Sequence, residues 1–432
     1  PRPRSDTAMH PAAGTRELAA EGPHDVLIIG AGPAGTAAAA LLARAGRRVV
    51  VLERDAFPRF VIGESLLPRC MDTLDEAGLI PALEARGYLI KRGARFVRGP
   101  DRCDFDFSDT FTRGFGWTWQ VPRDDFDAAL AAAVQALGVP VLFRHEVVGA
   151  RVGDGLQELD VRAPDGALHT LCARRLIDAS GYGRVLPRLL GLDAPSQQPP
   201  RRALFAHVRG DRRPPGPDEG RIWICVNTAG AWLWVIPFAD GRTSVGAVAP
   251  EEFWATCWDE RDLLGTLRRV IAGESNVAAR LAATEPCFGP RVLAGYSSSV
   301  TRVHGPGYCL VGNATEFLDP IFSSGVTLAL ESARLAARAT LRDLAGERPD
   351  WDLDYAAPMR RGVDVFRAFV DAWYDRSLEA IIFSPIVRDD LRRQICSVLA
   401  GQVWDLQNPF VARPRARLRQ LAALVRGELP AA

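Results

Sequence analysis

The stretch Val26–Gly35, VLIIGAGPAG, constrains this chain more than any other. Four apolar residues, Val26 to Ile29, run straight into Gly30-Ala31-Gly32-Pro33-Ala34-Gly35. An apolar helical run, Ala37–Leu42, follows, and then a second strand, Arg48–Leu52, closed by Glu53. Strand, glycine turn, helix and strand at this spacing suit a dinucleotide-binding unit. Gly30 permits the tight turn, Gly32 lets the backbone approach a pyrophosphate, and Gly35 lets the helix lie close to the strand. The pyrophosphate charge then sits at the positive helix N-terminus, beside Pro33 and Ala34. Glu53 is an acceptor for ribose hydroxyls, and its charge disfavours a 2′-phosphate there.

The bulk numbers narrow the class. At 432 residues there is room for two or three domains with substantial cores. With 53 basic and 52 acidic residues the net charge is +1, so nothing pulls the chain toward nucleic acid. None of the eight cysteines forms CxxC or has zinc-ligand spacing with the six histidines. No metal site is expected, and a reducing, cytoplasmic compartment fits. The first 22 residues lack a secretory apolar core and read as a flexible tail. No apolar run reaches the roughly 18 residues that a bilayer crossing needs, so no membrane partner is expected.

Along the chain, Phe57–Pro68 is a loop containing Gly63-Glu64-Ser65, and Lys91–Phe107 alternates like a strand. Arg123–Leu137 is an amphipathic helix. Short strands follow at 139–143, 146–152, 158–162 and 175–178, the last running into Asp178-Ala179-Ser180-Gly181. Four strands between Leu204 and Val248 suggest an inserted antiparallel sheet. Tyr308–Gly312 returns to the nucleotide fold, Ser323–Leu344 is a long helix, and the remainder is mostly helical. The predicted fold is α/β. A Rossmann-like domain of the glutathione-reductase type spans 23–200 and 290–345, an antiparallel substrate sheet spans 201–289, and a helical region spans 346–432.

Gly312-Asn313-Ala314, after the strand YCLVG and before Asp319-Pro320 and a long helix, is a second strand–turn–helix. A flavin needs two such turns. The first unit takes the ADP half, and the second touches the ribityl chain and presents a helix N-terminus near the pyrimidine edge. Arg123 is placed to reach the cofactor from its helix start.

Together, GAGPAG with Glu53, the Arg123 helix start, Asp178-Ala179-Ser180-Gly181 and Gly312…Asp319-Pro320 resemble the FAD-dependent aromatic hydroxylase clan. More narrowly, the chain resembles the flavin-dependent halogenases of the tryptophan-halogenase superfamily. Trp232-Leu233-Trp234-Val235-Ile236-Pro237 is similar to the family's WxWxIP. Lys91 in Ile90-Lys91-Arg92-Gly93-Ala94 is similar to its FKxG segment, and Gly63-Glu64-Ser65 lies near the flavin in these enzymes. The resemblance covers about residues 24–345.

The resemblance implies FAD, with chloride or bromide as co-substrate. Cofactor contacts are expected from Gly30, Gly32, Pro33, Ala34, Gly35, Glu53 and Arg54, then from Glu64, Ser65, Arg123, Val147 and Asp178. A third group is Gly312, Asn313, Pro320, Gly325 and Val326. Ser323-Ser324-Gly325 resembles the halide turn, where backbone N–H groups at a helix start hold an anion. Lys91 is the expected catalytic amine, which receives hypohalous acid and delivers an electrophilic halogen to an electron-rich ring. Trp232, Trp234, Ile236 and Pro237 are expected to shield the flavin and shape a tunnel. No second GxGxxG occupies a strand–turn–helix, so a separate NAD(P)H:flavin reductase is expected to supply the reduced cofactor.

Two departures matter. Asn313 stands where the clan usually carries Asp. Phe322 stands where tryptophan halogenases place Glu, which favours phenols, pyrroles or carrier-tethered aromatics as substrates. Three alternatives stay open: a monooxygenase of the same fold, a geranylgeranyl-reductase-like flavin enzyme, and a flavin-binding scaffold without turnover. Trp373, Tyr374 and Phe383 are expected on a substrate lid.

Overall fold

A computed structural model describes residues 14–196, 198–227 and 230–428. The expected unit opens it: strand His24–Ile29, helix Pro33–Arg44 and strand Val49–Glu53. Both strands are almost wholly buried, the pattern of parallel strands covered on two faces. Side-chain alternation divides them. Val26, Ile28, Val49 and Val51 join the core beneath the helices. Leu27, Ile29, Val50 and Leu52 face the meander Glu146–Arg151, Gln157–Arg162 and Leu168–Asp178.

The first sheet runs in the order His304–Gly305, Tyr308–Leu310, Leu168–Asp178, His24–Ile29, Val49–Glu53, Val141–Phe143. Its central pairs are parallel, with Ile29 beside both Asp178 and Leu52, and Asp178 beside Leu310. The carboxyl ends of these strands therefore meet at one edge, the place where open α/β sheets bind ligands.

A second sheet lies across that edge, in the order Glu285–Ala294, Arg202–Arg209, Thr243–Ala249, Trp232–Pro237, Ile222–Val226, Gly93–Arg98, Asp101–Asp106. It is antiparallel except where Ile222–Val226 pairs in parallel with Gly93–Arg98. It therefore takes two strands from outside 201–289 and extends to Ala294. The predicted strand Lys91–Phe107 is in fact three, Leu89–Lys91, Gly93–Arg98 and Asp101–Asp106. The Gly99-Pro100 turn folds the last two into a hairpin, while Lys91 leaves to pair with Thr118. One face of the second sheet packs on helices Leu263–Ala272 and Ser275–Leu281. The other carries Phe96, Phe205, Trp232 and Trp234 into the main core.

The C-terminal helices Ala357–Tyr374, Ser377–Ile382, Asp389–Leu399, Pro409–Ala412 and Pro414–Val425 bury their apolar faces in that same core. Trp373, expected on a lid, is buried against Phe96 and Phe322. No helix of the described residues is long and apolar enough to cross a membrane.

Candidate active site

A cavity of about 380 Å³ opens at the carboxyl edge of the first sheet and is roofed by the second. The glycine turn forms its floor. Gly30 has φ +100°, and a Cβ there would meet the Ala179 carbonyl oxygen at 2.5 Å. A Cβ on Gly35 would lie 1.9 Å from the Gly30 oxygen. Gly35 is thus required for helix–strand packing and is not on the cavity wall. Glu53 lines the cavity, and its two carboxylate oxygens accept from the N–H groups of Ala31 and Asp55 at 2.8 and 2.9 Å. It therefore ties the glycine turn to the end of the second strand.

Arg59 was not legible in the sequence. Its guanidinium donates to Asp127 at 2.9 Å, lies 3.9 Å from Glu53, and sits 3.5 Å from where a Gly32 Cβ would be. A cation is thereby held against the turn that receives a pyrophosphate, adding to the helix N-terminus. Nothing in the spacing of its loop marks it. His145, beside Val147 and Arg54 on the same wall, was missed for the same reason.

Two predicted contacts have other work. Arg123 lines the cavity but is 5% exposed. It grips Asp127 through two bonds of 2.8 and 3.0 Å and donates to the carbonyls of Ile62 and Gly63. It fastens the Gly63-Glu64-Ser65 loop to its helix. Asp178 is off the cavity. Its oxygens accept from Ser180 and Leu186 N–H at 2.8 and 2.7 Å, shaping the loop that does line it.

Gly312, Asn313, Pro320, Gly325 and Val326 line the cavity too, with Ala34 beside Gly312, where an added Cβ would lie 3.4 Å from the Ala34 Cβ. The roof is Trp232, Trp234 and Ile236, on one face of their strand as alternation requires. Pro237 falls on the other parity and is off the cavity. A Cβ on Gly246 would lie 2.3 Å from the Trp234 ring, so the neighbouring strand needs glycine to admit that indole. Ser323 caps the helix Ser324–Leu344 from a left-handed conformation, φ 56°. It reaches the cavity, whereas Ser324 is buried away from it.

Next to this cavity lies a second of about 10 Å³, room for about one water-sized molecule. Lys91 lines it among Leu67, Phe96, Phe107, Phe322 and Leu399, and among the described residues no carboxylate lines it. Ile222, Ile321 and Ser323 line both cavities and form the partition. Lys91 is 1% exposed, and its Nζ donates to Ser65 Oγ and the Leu66 carbonyl, each at 2.7 Å. Burial pushes its pKa down to about 7.

Residues 23–368 match the family of the FAD binding domain. The chain is 28% identical over 407 residues to the 1H-pyrrole-2-carbonyl-(peptidyl-carrier protein) brominase of Pseudoalteromonas luteoviolacea, covering 89% of this chain and 93% of that one. It is 30% identical to the flavin-dependent halogenase armH3 of Armillaria mellea, over 74% of this chain and 68% of that one. A crystal structure of a flavoprotein/dehydrogenase from Cytophaga hutchinsonii superposes with a TM-score of 0.91 at 45% identity, covering 94% of this chain and all of that one. The larger cavity suits FAD: a glycine turn and a cation lie at the diphosphate end, and aromatic walls at the other. The chain belongs to the FAD-binding-domain family and, within it, to the flavin-dependent halogenases.

Proposed function

We propose that this enzyme halogenates an electron-rich arene, a phenol or a pyrrole, free or tethered to a carrier protein. The observation that carries the reading is the buried Lys91 amine, one partition away from the flavin cavity. Bound and reduced, FAD would supply the two electrons that take one oxygen atom of O2 to water while the other oxidises chloride or bromide to hypohalous acid.

The chain's own residues do the rest. Backbone N–H groups after Ser323, at the start of a 21-residue helix, favour an anion near the partition. Ile222, Ile321 and Ser323 separate the space that suits the cofactor from the small space beside the Lys91 amine. Trp232 and Trp234 keep an aromatic substrate off the flavin. With a pKa near 7, Lys91 is partly a free amine at neutral pH. As an amine it takes the halogen: the N–X bond forms, the O–X bond breaks, and water leaves with the amine proton. As an ammonium it donates a hydrogen bond that polarises the oxidant. Phe96, Phe107 and Phe322 exclude bulk water from that exchange. An electron-rich ring suits this chemistry because its own electrons activate it toward an electrophilic halogen.

The carrier-tethered option is supported by the pyrrole-carrier relative. A separate NAD(P)H:flavin reductase completes the system. Mass spectrometry of products from reduced FAD, O2 and bromide tests the reading, with phenols, pyrroles and their pantetheine thioesters as substrates. A bromine isotope pattern that vanishes in Lys91→Ala is expected. Oxygenated product without bromide would overturn it, and rapid NADPH oxidation by the chain alone would overturn the two-component part.

A further inference from the structure

The two cavities share more than a wall. The helix Ala357–Tyr374 ends with Trp373 against Phe96 and Phe322, which line the lysine cavity. The next residue, Tyr374, turns to the flavin side. Its O–H donates to Asp319 Oδ2 at 2.8 Å, and its oxygen accepts from the Trp232 indole N–H at 3.1 Å. Asp319 Oδ1 in turn accepts from the Ile321 N–H at 3.0 Å and caps the short turn Pro320–Phe322. Trp232 roofs the flavin cavity, and Ile321 belongs to the partition. One phenol therefore holds the roof and the partition to each other, from a helix in a different layer.

We propose that Tyr374 is a positioning residue that keeps the partition closed to everything but a small oxidant, by locking Trp232 and Asp319 together. A phenol suits this role because its oxygen donates and accepts at once. The site is built for it. The Arg201 guanidinium lies 3.3 Å from the Tyr374 ring centroid and holds the ring in place. The groups facing the Asp319 carboxylate are Tyr374, Tyr296 at 3.5 Å, and Arg201. Burial pushes Asp319 up to about 6, and the Tyr374 hydrogen bond works against that rise. Loss of the phenol oxygen therefore moves Asp319 toward protonation near neutral pH, weakens its cap on Ile321 and frees the Trp232 indole.

The proposal rests on the halogenase reading only for its product assay, so the test has two arms. In Tyr374→Phe, FAD affinity near pH 8 is expected to stay within about threefold of wild type, because no cofactor-facing atom is removed. Because Asp319 holds the partition turn through Ile321 and bonds the phenol that holds Trp232, wild-type FAD affinity is expected to fall on acidification as Asp319 takes up a proton; this acid limb is expected to move to higher pH in Tyr374→Phe and to be absent in Asp319→Asn. A merely structural role would not shift that limb. In the product arm, halogenated product per reduced flavin consumed is expected to fall about tenfold, with peroxide released instead, the effect of one charge-assisted hydrogen bond. Trp232→Phe, which keeps the ring and removes the N–H, is expected to lose coupling without moving the limb, and it stands in if Tyr374→Phe does not fold. An unmoved acid limb in Tyr374→Phe overturns the proposal, as does wild-type coupling in both Tyr374→Phe and Trp232→Phe. If no substrate is halogenated by wild type, the product arm fails with the proposed function, while the affinity arm still decides this inference.

Discussion

Lys91, at the end of the strand Leu89–Lys91, and Ser65, in the loop Phe57–Pro68, meet in the interior. The lysine Nζ donates to the serine Oγ at 2.7 Å, and Ser65 itself lines the flavin cavity. The Gly63-Glu64-Ser65 loop thus serves both compartments. Its backbone is fastened by Arg123, and its last side chain aims the amine.

A buried amine costs stability, and the sign of the cost follows from its titration. Unfolded, Lys91 stays protonated up to its ordinary pKa of 10.5; folded, only up to about 7. Between those values the unfolded chain binds more protons, so wild-type stability rises with pH across the window. Lys91→Met is expected to be inactive yet more stable at pH 7, by on the order of a few kcal/mol after allowing for the unpaired Ser65 and Leu66 acceptors. The gap should close as pH approaches 10.5. Urea unfolding of both proteins at several pH values measures it.

Removing the cation beside the glycine turn should act on the cofactor alone. In Arg59→Ala, Asp127 keeps its two bonds to Arg123, so folding is little affected. The dissociation constant for FAD is expected to rise about tenfold to a hundredfold, the range for a hydrogen bond to a charged group. Flavin fluorescence during titration of the apoprotein reads it directly.

Gly246 carries the Trp234 indole against its backbone. A methyl group there would meet the ring at 2.3 Å and the Phe205 Cβ at 2.7 Å. Gly246→Ala is expected to lose about 1–3 kcal/mol by overpacking and to weaken FAD binding as the roof shifts. Thermal unfolding with and without FAD separates the two effects.

Ser323 adopts φ 56°, where a side chain is strained and glycine is not. Ser323→Gly is expected to be neutral or stabilising by up to about 1 kcal/mol. If backbone N–H groups hold the halide, KM for bromide should change less than about threefold. A much larger rise would give the anion to the hydroxyl instead.

Local pattern made much of this protein readable. The turn from Ile29 through Gly35, the parity of Trp232 and Trp234, and the helix behind Ser323 depend on neighbours a few residues away. Position in a motif did not reveal what each side chain bonds. Asp178 stands where a cofactor contact was expected, but its oxygens hold the loop beside the cavity; Arg123 lines the cavity while its guanidinium is bonded to Asp127, Ile62 and Gly63. Trp373 and Tyr374 are aromatic at helical spacing, which fits a lid and a packed core equally well; Phe96 places Trp373 in the core, while the half-buried Tyr374 bonds Asp319 and Trp232.

From the sequence by itself came the strand–turn–helix units, the alternation of the tryptophan strand and the presence of one lysine in a recognisable segment, because each is set by covalent geometry and short-range hydrogen bonding. Tertiary structure alone decided that Lys91 is buried, that Arg59 faces Gly32, and that Tyr374 joins Trp232 to Asp319. Those contacts span up to 142 residues of chain and exist only once two sheets and a helical layer exclude water between them.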